Sequence, residues 1–128
     1  MTDIRQTLIE KAKTMGWKIA PAQAEQFQTY MELLLEWNEK MNLTAITDPD
    51  EVVEKHFLDS LTLLTWDKLK QRAKVIDVGT GAGFPGIPLK IMRPDIDLTL
   101  LDGTQKRLNF LGEVCTALKL SARRVHKR

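Results

Sequence analysis

The spacing of apolar positions changes near residue 70. Before it, apolar side chains recur every three or four residues. Ile4, Leu8, Ala12 and Met15 share one face of an amphipathic helix over residues 3–15, which Gly16 stops. Pro21 opens a second helix, and Ala24, Phe27, Met31, Leu34 and Met41 mark its apolar stripe as far as Met41. The stretch NLTAITDPDE then breaks the pattern. Asp48-Pro49-Asp50-Glu51 has a capping residue, a proline for the first turn and a glutamate three places after the cap. It predicts a third helix over 49–58. A short fourth is expected over 59–64, with Asp59 as its cap.

After Lys70 the period shortens. KVIDV is a β-branched run with the length and composition of a strand. A glycine loop follows, then a helix over 85–92 that Pro94 closes. DLTLLD predicts a second strand. In TQKRLNFLGEVCTALKL, Leu108, Leu111, Cys115 and Leu118 form the inner face of a helix, and ARRVHKR reads as the start of a third strand. Strands alternating with helices predict parallel βαβ units. The expected organisation is a helical N-terminal cap over 1–70 and the first part of a βαβ domain over 71–128. No internal repeat or low-complexity linker interrupts it.

Composition narrows the class. With 128 residues, 43% hydrophobic and 28% charged, the chain suits one folded domain and is not disordered in character. One cysteine, Cys115, precludes an internal disulfide, and with only two histidines no zinc cluster is expected. A reducing, cytoplasmic compartment is expected. MTDIRQTLIEKAK mixes charges of both signs, unlike a signal peptide or a membrane span. The net charge of +2 conceals an asymmetry: Lys119, Arg123, Arg124, Lys127 and Arg128 crowd the last ten residues, leaving 14 basic against 17 acidic residues elsewhere. Such an end suits nucleic acid or, more blandly, a solvated edge.

The loop Asp77-Val78-Gly79-Thr80-Gly81-Ala82-Gly83-Phe84-Pro85-Gly86 lies between a strand and a helix, where backbone amides close on a ligand. Asp102 ends the next strand, placed to accept hydrogen bonds from ribose hydroxyls. A phosphate loop for ATP or GTP is excluded, because no Gly-Lys-Ser/Thr follows. Gly81-Ala-Gly83-Phe-Pro-Gly86 formally matches the NAD pattern, but Gly79 then lies upstream and Pro85 removes an amide donor. S-adenosylmethionine fits better, having ribose and adenine but no phosphate. Asp77 would meet its α-ammonium, and the turn at Gly79, Thr80, Gly81 and Gly83 would lie beside its methionine tail.

Four segments in order, EWNEKMNLTAI, HFLDSL, IDVGTGAGFPGIPL and LLDGTQKRLNFL, resemble the N-terminal part of the ribosomal small-subunit methyltransferase G family, also called glucose-inhibited division protein B. The resemblance implies a Rossmann-like class I S-adenosylmethionine methyltransferase fold of the α/β class, here C-terminally truncated. It implies methyl transfer to N7 of a guanine in the 530-loop region of 16S rRNA, within the small ribosomal subunit. It also implies that Gly79 and Phe84 line the cofactor pocket. Gly103 departs from the serine usual in the family. The family's chains continue further, so this is read as a fragment or a truncated product, with self-association expected of the short chain and a monomer of the full one. A non-catalytic remnant is the alternative reading; an NAD-binding domain is a lesser one.

Guanine N7 carries a lone pair and no proton, so alignment rather than acid–base catalysis is expected to carry the rate, with no catalytic residue and no metal. The other candidates have structural readings beside functional ones. His56 is expected to be structural, Asn38 and Asn42 to end the second helix, and Trp37 and Trp66 to be core rather than base-stacking. Asp77 also suits a loop cap, Phe84 a core position and Asp102 a turn. Lys106, Arg107, Arg123 and Arg124 are candidate phosphate contacts.

Overall fold

The computed structural model describes residues 2–66 and 69–127. Arg128, part of the basic end, lies outside the described residues. Helix α1 spans Arg5–Thr14 and α2 spans Pro21–Met41, with Pro21 at its first turn as expected. The Gln28 side chain anchors the start of α1: its Oε1 accepts from the Ile4 amide (2.8 Å), one of the donors that a helix N-terminus leaves unpaired. Met15 is 40% exposed rather than on the buried face, because α1 has already ended and Met15 sits in the turn beyond it.

Asp48 caps α3 (Pro49–Glu51), its Oδ2 accepting from the Glu51 amide at 3.2 Å. The expected break before a fourth helix is absent. A π-helical turn over Val52–Leu58 runs directly into α4 (Asp59–Leu61) and a 3-10 turn over Thr62–Thr65. Asp59 caps no helix among the described residues: its backbone is helical, and Ser60 Oγ donates to the His56 carbonyl one turn back (2.6 Å). Apolar Val52, Val53, Phe57, Leu58 and Leu61 are buried from the start of the run through α4, so burial favours continuing it across Asp59. Trp66, expected in the core, is 56% exposed, because the backbone becomes extended there and leaves the helical face.

Strands β1 (Lys74–Val78), β2 (Asp97–Asp102) and β3 (Arg123–His126) form one parallel sheet in the order β1-β2-β3. Helices α5 (Gly86–Met92) and α6 (Gln105–Leu118) make the two crossovers. The register pairs Asp77 with Leu100 and Val78 with Leu101. One sheet face, with Asp77, Leu98, Leu100 and Asp102, is buried. On the other, Ile76 (65%), Val78 (62%) and Val125 (44%) are exposed.

Helix α2 packs across α5 and α6, and its side chains finish their C-terminal ends. Gln23 Nε2 donates to the Ile91 carbonyl (3.3 Å) and Gln26 Nε2 to the Leu118 carbonyl (2.9 Å). A single hydrophobic cluster therefore joins the helical region to the sheet, with Phe27, Tyr30, Met31, Leu34, Ile87, Leu111 and Val114 among its buried members.

Candidate functional site

The glycine loop leaves the C-terminal end of β1 and is stitched at once to the end of β2. The Gly79 and Thr80 amides both donate to the Leu101 carbonyl, at 2.8 and 3.1 Å. Two buried carboxylates then shape it. Asp77 Oδ2 accepts from Thr80 Oγ1 (2.7 Å) and from the Gly86 amide (3.0 Å), bridging the first and last turns of the loop. Asp102 Oδ2 accepts from the Gly81 amide (2.9 Å), and its Oδ1 accepts from Thr104 N (2.9 Å), with Arg107 Nη1 at 3.5 Å. Burial pushes the Asp77 pKa up; the bonds from Thr80 and Gly86 oppose this, and the nearby Asp102 charge adds to it. Asp77 Oδ1 is not engaged by either loop bond.

The glycines of the loop divide by what surrounds them. At Gly79 (φ +66°) a Cβ would meet nothing within 4 Å, and at Gly81 (φ +59°) only the Gly79 carbonyl oxygen at 4.0 Å. Their left-handed backbone bends the chain around open space. At Gly83 a Cβ would lie 2.5 Å from Tyr30 Oη, 2.9 Å from Ile87 Cδ1 and 3.0 Å from Leu111 Cδ2. Gly86 is equally closed, by Asp77 Oδ2 and Leu100 Cδ2 at 2.9 Å each. Tyr30, from the middle of α2, donates its hydroxyl to the Ala82 carbonyl at 2.6 Å. The helical region thus holds the loop from behind.

Phe84 is half-buried in an aromatic column. Its ring lies 5.4 Å from Tyr30 and 4.2 Å from the His56 imidazole, which is within 5° of parallel. Phe57 packs nearby, tilted, at 6.0 Å. His56 Nε2 pairs with Thr44 Oγ1 (2.8 Å), and Asn38 Oδ1 accepts from the Thr44 amide (2.8 Å). Burial lowers the His56 pKa from 6.5, against the opposing charge of Asp59, so the ring favours its neutral form. Asn42, in the left-handed conformation, ends α2 as expected.

Asp77, Gly79, Thr80, Gly81 and Asp102 therefore converge at the C-terminal ends of β1 and β2, while Gly83 turns inward and Phe84 turns towards His56. Trp37 is partly buried and tilts against Phe110 at 5.7 Å. Arg123 pairs with Asp97 at 2.7 Å, and Lys106 and Arg124 are exposed. Tyr30 is the member of the site that the sequence reading passed over. Its one signal is position, since Phe27, Tyr30, Met31 and Leu34 follow helical spacing and mark it only as core.

A family model described as rRNA small subunit methyltransferase G matches residues 23–128. Proteins named ribosomal RNA small subunit methyltransferase G are similar over most of this chain. The one from Desulforamulus reducens is 51% identical over 121 residues, covering 94% of this chain and 50% of that protein. The one from Alkaliphilus oremlandii is 52% identical over 118 residues, covering 92% and 49%. The one from a Thermoanaerobacter species is 56% identical over 114 residues, covering 89% and 48%. The chain spans about half the length of these relatives. With a matching family model over most of its residues and the order of elements described above, the chain belongs to the rRNA small subunit methyltransferase G family.

Proposed function

We propose that the whole protein transfers the methyl group of S-adenosylmethionine to N7 of a guanine in the 530-loop region of 16S rRNA, in the cytoplasm. On this reading the present chain carries the cofactor-binding loop and the helical cap behind it. The observation that supports it most is the pair of glycines, Gly79 and Gly81, facing open space between the buried carboxylates of Asp77 and Asp102.

The residues present fit such a cofactor. The cradle at Gly79 and Gly81 has no side chain to fill it. Asp77 Oδ1, which neither loop bond uses, suits an α-ammonium, and Asp102 keeps lone pairs for ribose hydroxyls beyond those facing Gly81, Thr104 and Arg107. Thr80 and Gly83 complete the turn, and Phe84 closes its far end. No Gly-Lys-Ser/Thr follows the loop and Pro85 removes an amide donor from it, which suits a ligand without phosphate. When bound, S-adenosylmethionine supplies an electrophilic methyl group on a sulfonium. Guanine N7 already has its lone pair, so these residues need only hold two partners in line. Orientation of that kind is worth up to roughly 7–11 kcal/mol.

A second reading concerns the 128-residue chain alone: it folds and self-associates without turnover. The exposed apolar side chains of Ile76, Val78 and Val125 on one sheet face favour it. A thermal melt of this chain with and without excess S-adenosylmethionine tests the cofactor reading, with NAD as the comparison. Ligand at 100 times its dissociation constant should stabilise the fold by about 2.7 kcal/mol, a rise of several degrees. A cooperative melt that moves with NAD instead would refute the cofactor assignment. Methyl transfer to small-subunit particles, mapped to N7 of one guanine, tests the reaction in the full-length protein.

A further inference from the structure

A cavity of about 350 Å³ opens where the helical run over 49–65 meets the exit of the glycine loop. Lys55, His56, Asp59, Ser60, Phe84 and Pro85 contribute to its lining. It shares the loop with the cradle at Gly79 and Gly81 but is formed largely by the helical region. Its size falls at the lower end of the range for small-molecule sites.

Three features of its lining are chemically specific. The first is a pair of rings: His56 lies parallel on Phe84, both reach the cavity, and His56 is held by Thr44, which Asn38 positions in turn. The second is the Asp59 carboxylate. It is exposed, and the hydrogen bonds at Asp59 are made by its backbone: the amide donates to the His56 carbonyl, and the carbonyl accepts from Thr62 Oγ1 (2.6 Å). The third is the Lys55 ammonium, which pairs with Glu51 at 3.1 Å only as an exposed neighbour one turn away.

Aromatic rings beside an acceptor-only carboxylate select among bases. Guanine is the one common base whose Watson–Crick edge presents two adjacent donors, N1–H and the N2 amino group, which match the two oxygens of a carboxylate. Adenine and cytosine offer a donor beside an acceptor, and uracil a donor between two acceptors. Guanine gripped by that edge leaves N7, on the opposite edge, unobstructed. Enzymes that act on a base commonly take it out of the stack and read it in this manner, by its Watson–Crick edge and by stacking.

We propose that this cavity receives the acceptor guanine as a flipped nucleotide, with Asp59 accepting from N1–H and N2–H, the His56 ring stacking on the base and Lys55 meeting the adjacent phosphate. The choice of occupant rests on the guanine-N7 reading above. The role of Asp59 rests on the cavity.

The test is a titration of the isotope-labelled 128-residue chain with guanosine, inosine and adenosine 5′-monophosphates, followed by amide NMR shifts. Guanosine monophosphate should move amides in residues 55–63 and at Phe84. Inosine monophosphate, which lacks the N2 amino group, should bind roughly tenfold or more weakly, as expected for loss of a hydrogen bond to a charged group. Adenosine monophosphate should be weaker still. Asp59→Asn should weaken guanosine monophosphate binding by a similar factor and erase its preference over inosine, while Asp50→Asn, an exposed acid earlier in the same run, should change neither. Asp59 is exposed, so unchanged shifts elsewhere will show that its variant folds. Equal binding of all three nucleotides, no shifts at millimolar nucleotide, or an unaffected Asp59→Asn would overturn the proposal. S-adenosylmethionine, titrated separately, reports on amides of Gly79 and Gly81. Its failure beside successful guanine binding would remove the cofactor reading and leave the guanine site standing.

Discussion

The front of the glycine loop, at Gly79 and Gly81, faces open space, whereas the back, at Gly83 and Gly86, faces packed protein. The same residue type serves opposite ends. In front, the missing side chain leaves room for a ligand. Behind, it lets Tyr30, Ile87 and Leu111 approach the backbone more closely than any side chain would permit. A count of glycines in such a loop therefore overstates the surface available to a ligand, because half of them belong to the joint between loop and helical region.

That contrast predicts an order of effects. Gly83→Ala should be the most damaging to stability, at about 3 kcal/mol or more, since its Cβ would sit 2.5 Å from Tyr30 Oη on a backbone of φ +103°. Chemical denaturation measures this directly. Tyr30→Phe should cost about 1–2 kcal/mol by leaving the buried Ala82 carbonyl without its donor. The two changes should not add: Gly83→Ala should cost less in the Tyr30→Phe background, where the nearest obstructing atom is gone. Full additivity would mean that Tyr30 does not limit the space at Gly83.

Gly81→Ala should cost only about 1 kcal/mol, the penalty of a left-handed backbone, because the added methyl meets open space. It should nevertheless weaken S-adenosylmethionine binding in a calorimetric titration more than its stability loss suggests. A Gly81→Ala variant less stable than Gly83→Ala would break the comparison between front and back.

The smallest effect concerns pH. The pKa of His56 is held below 6.5 in the fold, chiefly by burial. Its contribution is therefore fully present above the unfolded value and is lost as the pH falls through the folded one. The melting temperature should drop as the pH falls below 6.5, and drop less in His56→Gln. An identical pH profile in the two proteins would show that the imidazole is not held neutral behind Phe84.

Much of the architecture was legible from local pattern. The limits of α2, β1 and β2 follow from Pro21, from the β-branched run KVIDV and from DLTLLD. Misreadings came where local signals compete with burial. Asp59 has the chemistry of a cap, yet Val52, Val53, Phe57, Leu58 and Leu61 keep the helical run continuous through it. Trp66 has the composition of a core residue, yet the chain turns away from the core just before it. Tyr30 reads as one more apolar position because its hydroxyl partner, Ala82, lies 52 residues away.

The sequence by itself determined the order of helices and strands, the glycine loop between β1 and α5, and the acids at the two strand ends. These depend on residue type and on neighbours a few places apart. Tertiary structure decided which glycines open outward, that Asp102 binds the Gly81 amide, and that His56 lies flat on Phe84 beside a cavity. Those outcomes depend on where distant segments dock: the Tyr30 hydroxyl must reach Ala82, and the Gly81 amide must reach Asp102 across the sheet. No periodicity along the chain encodes a contact of that range.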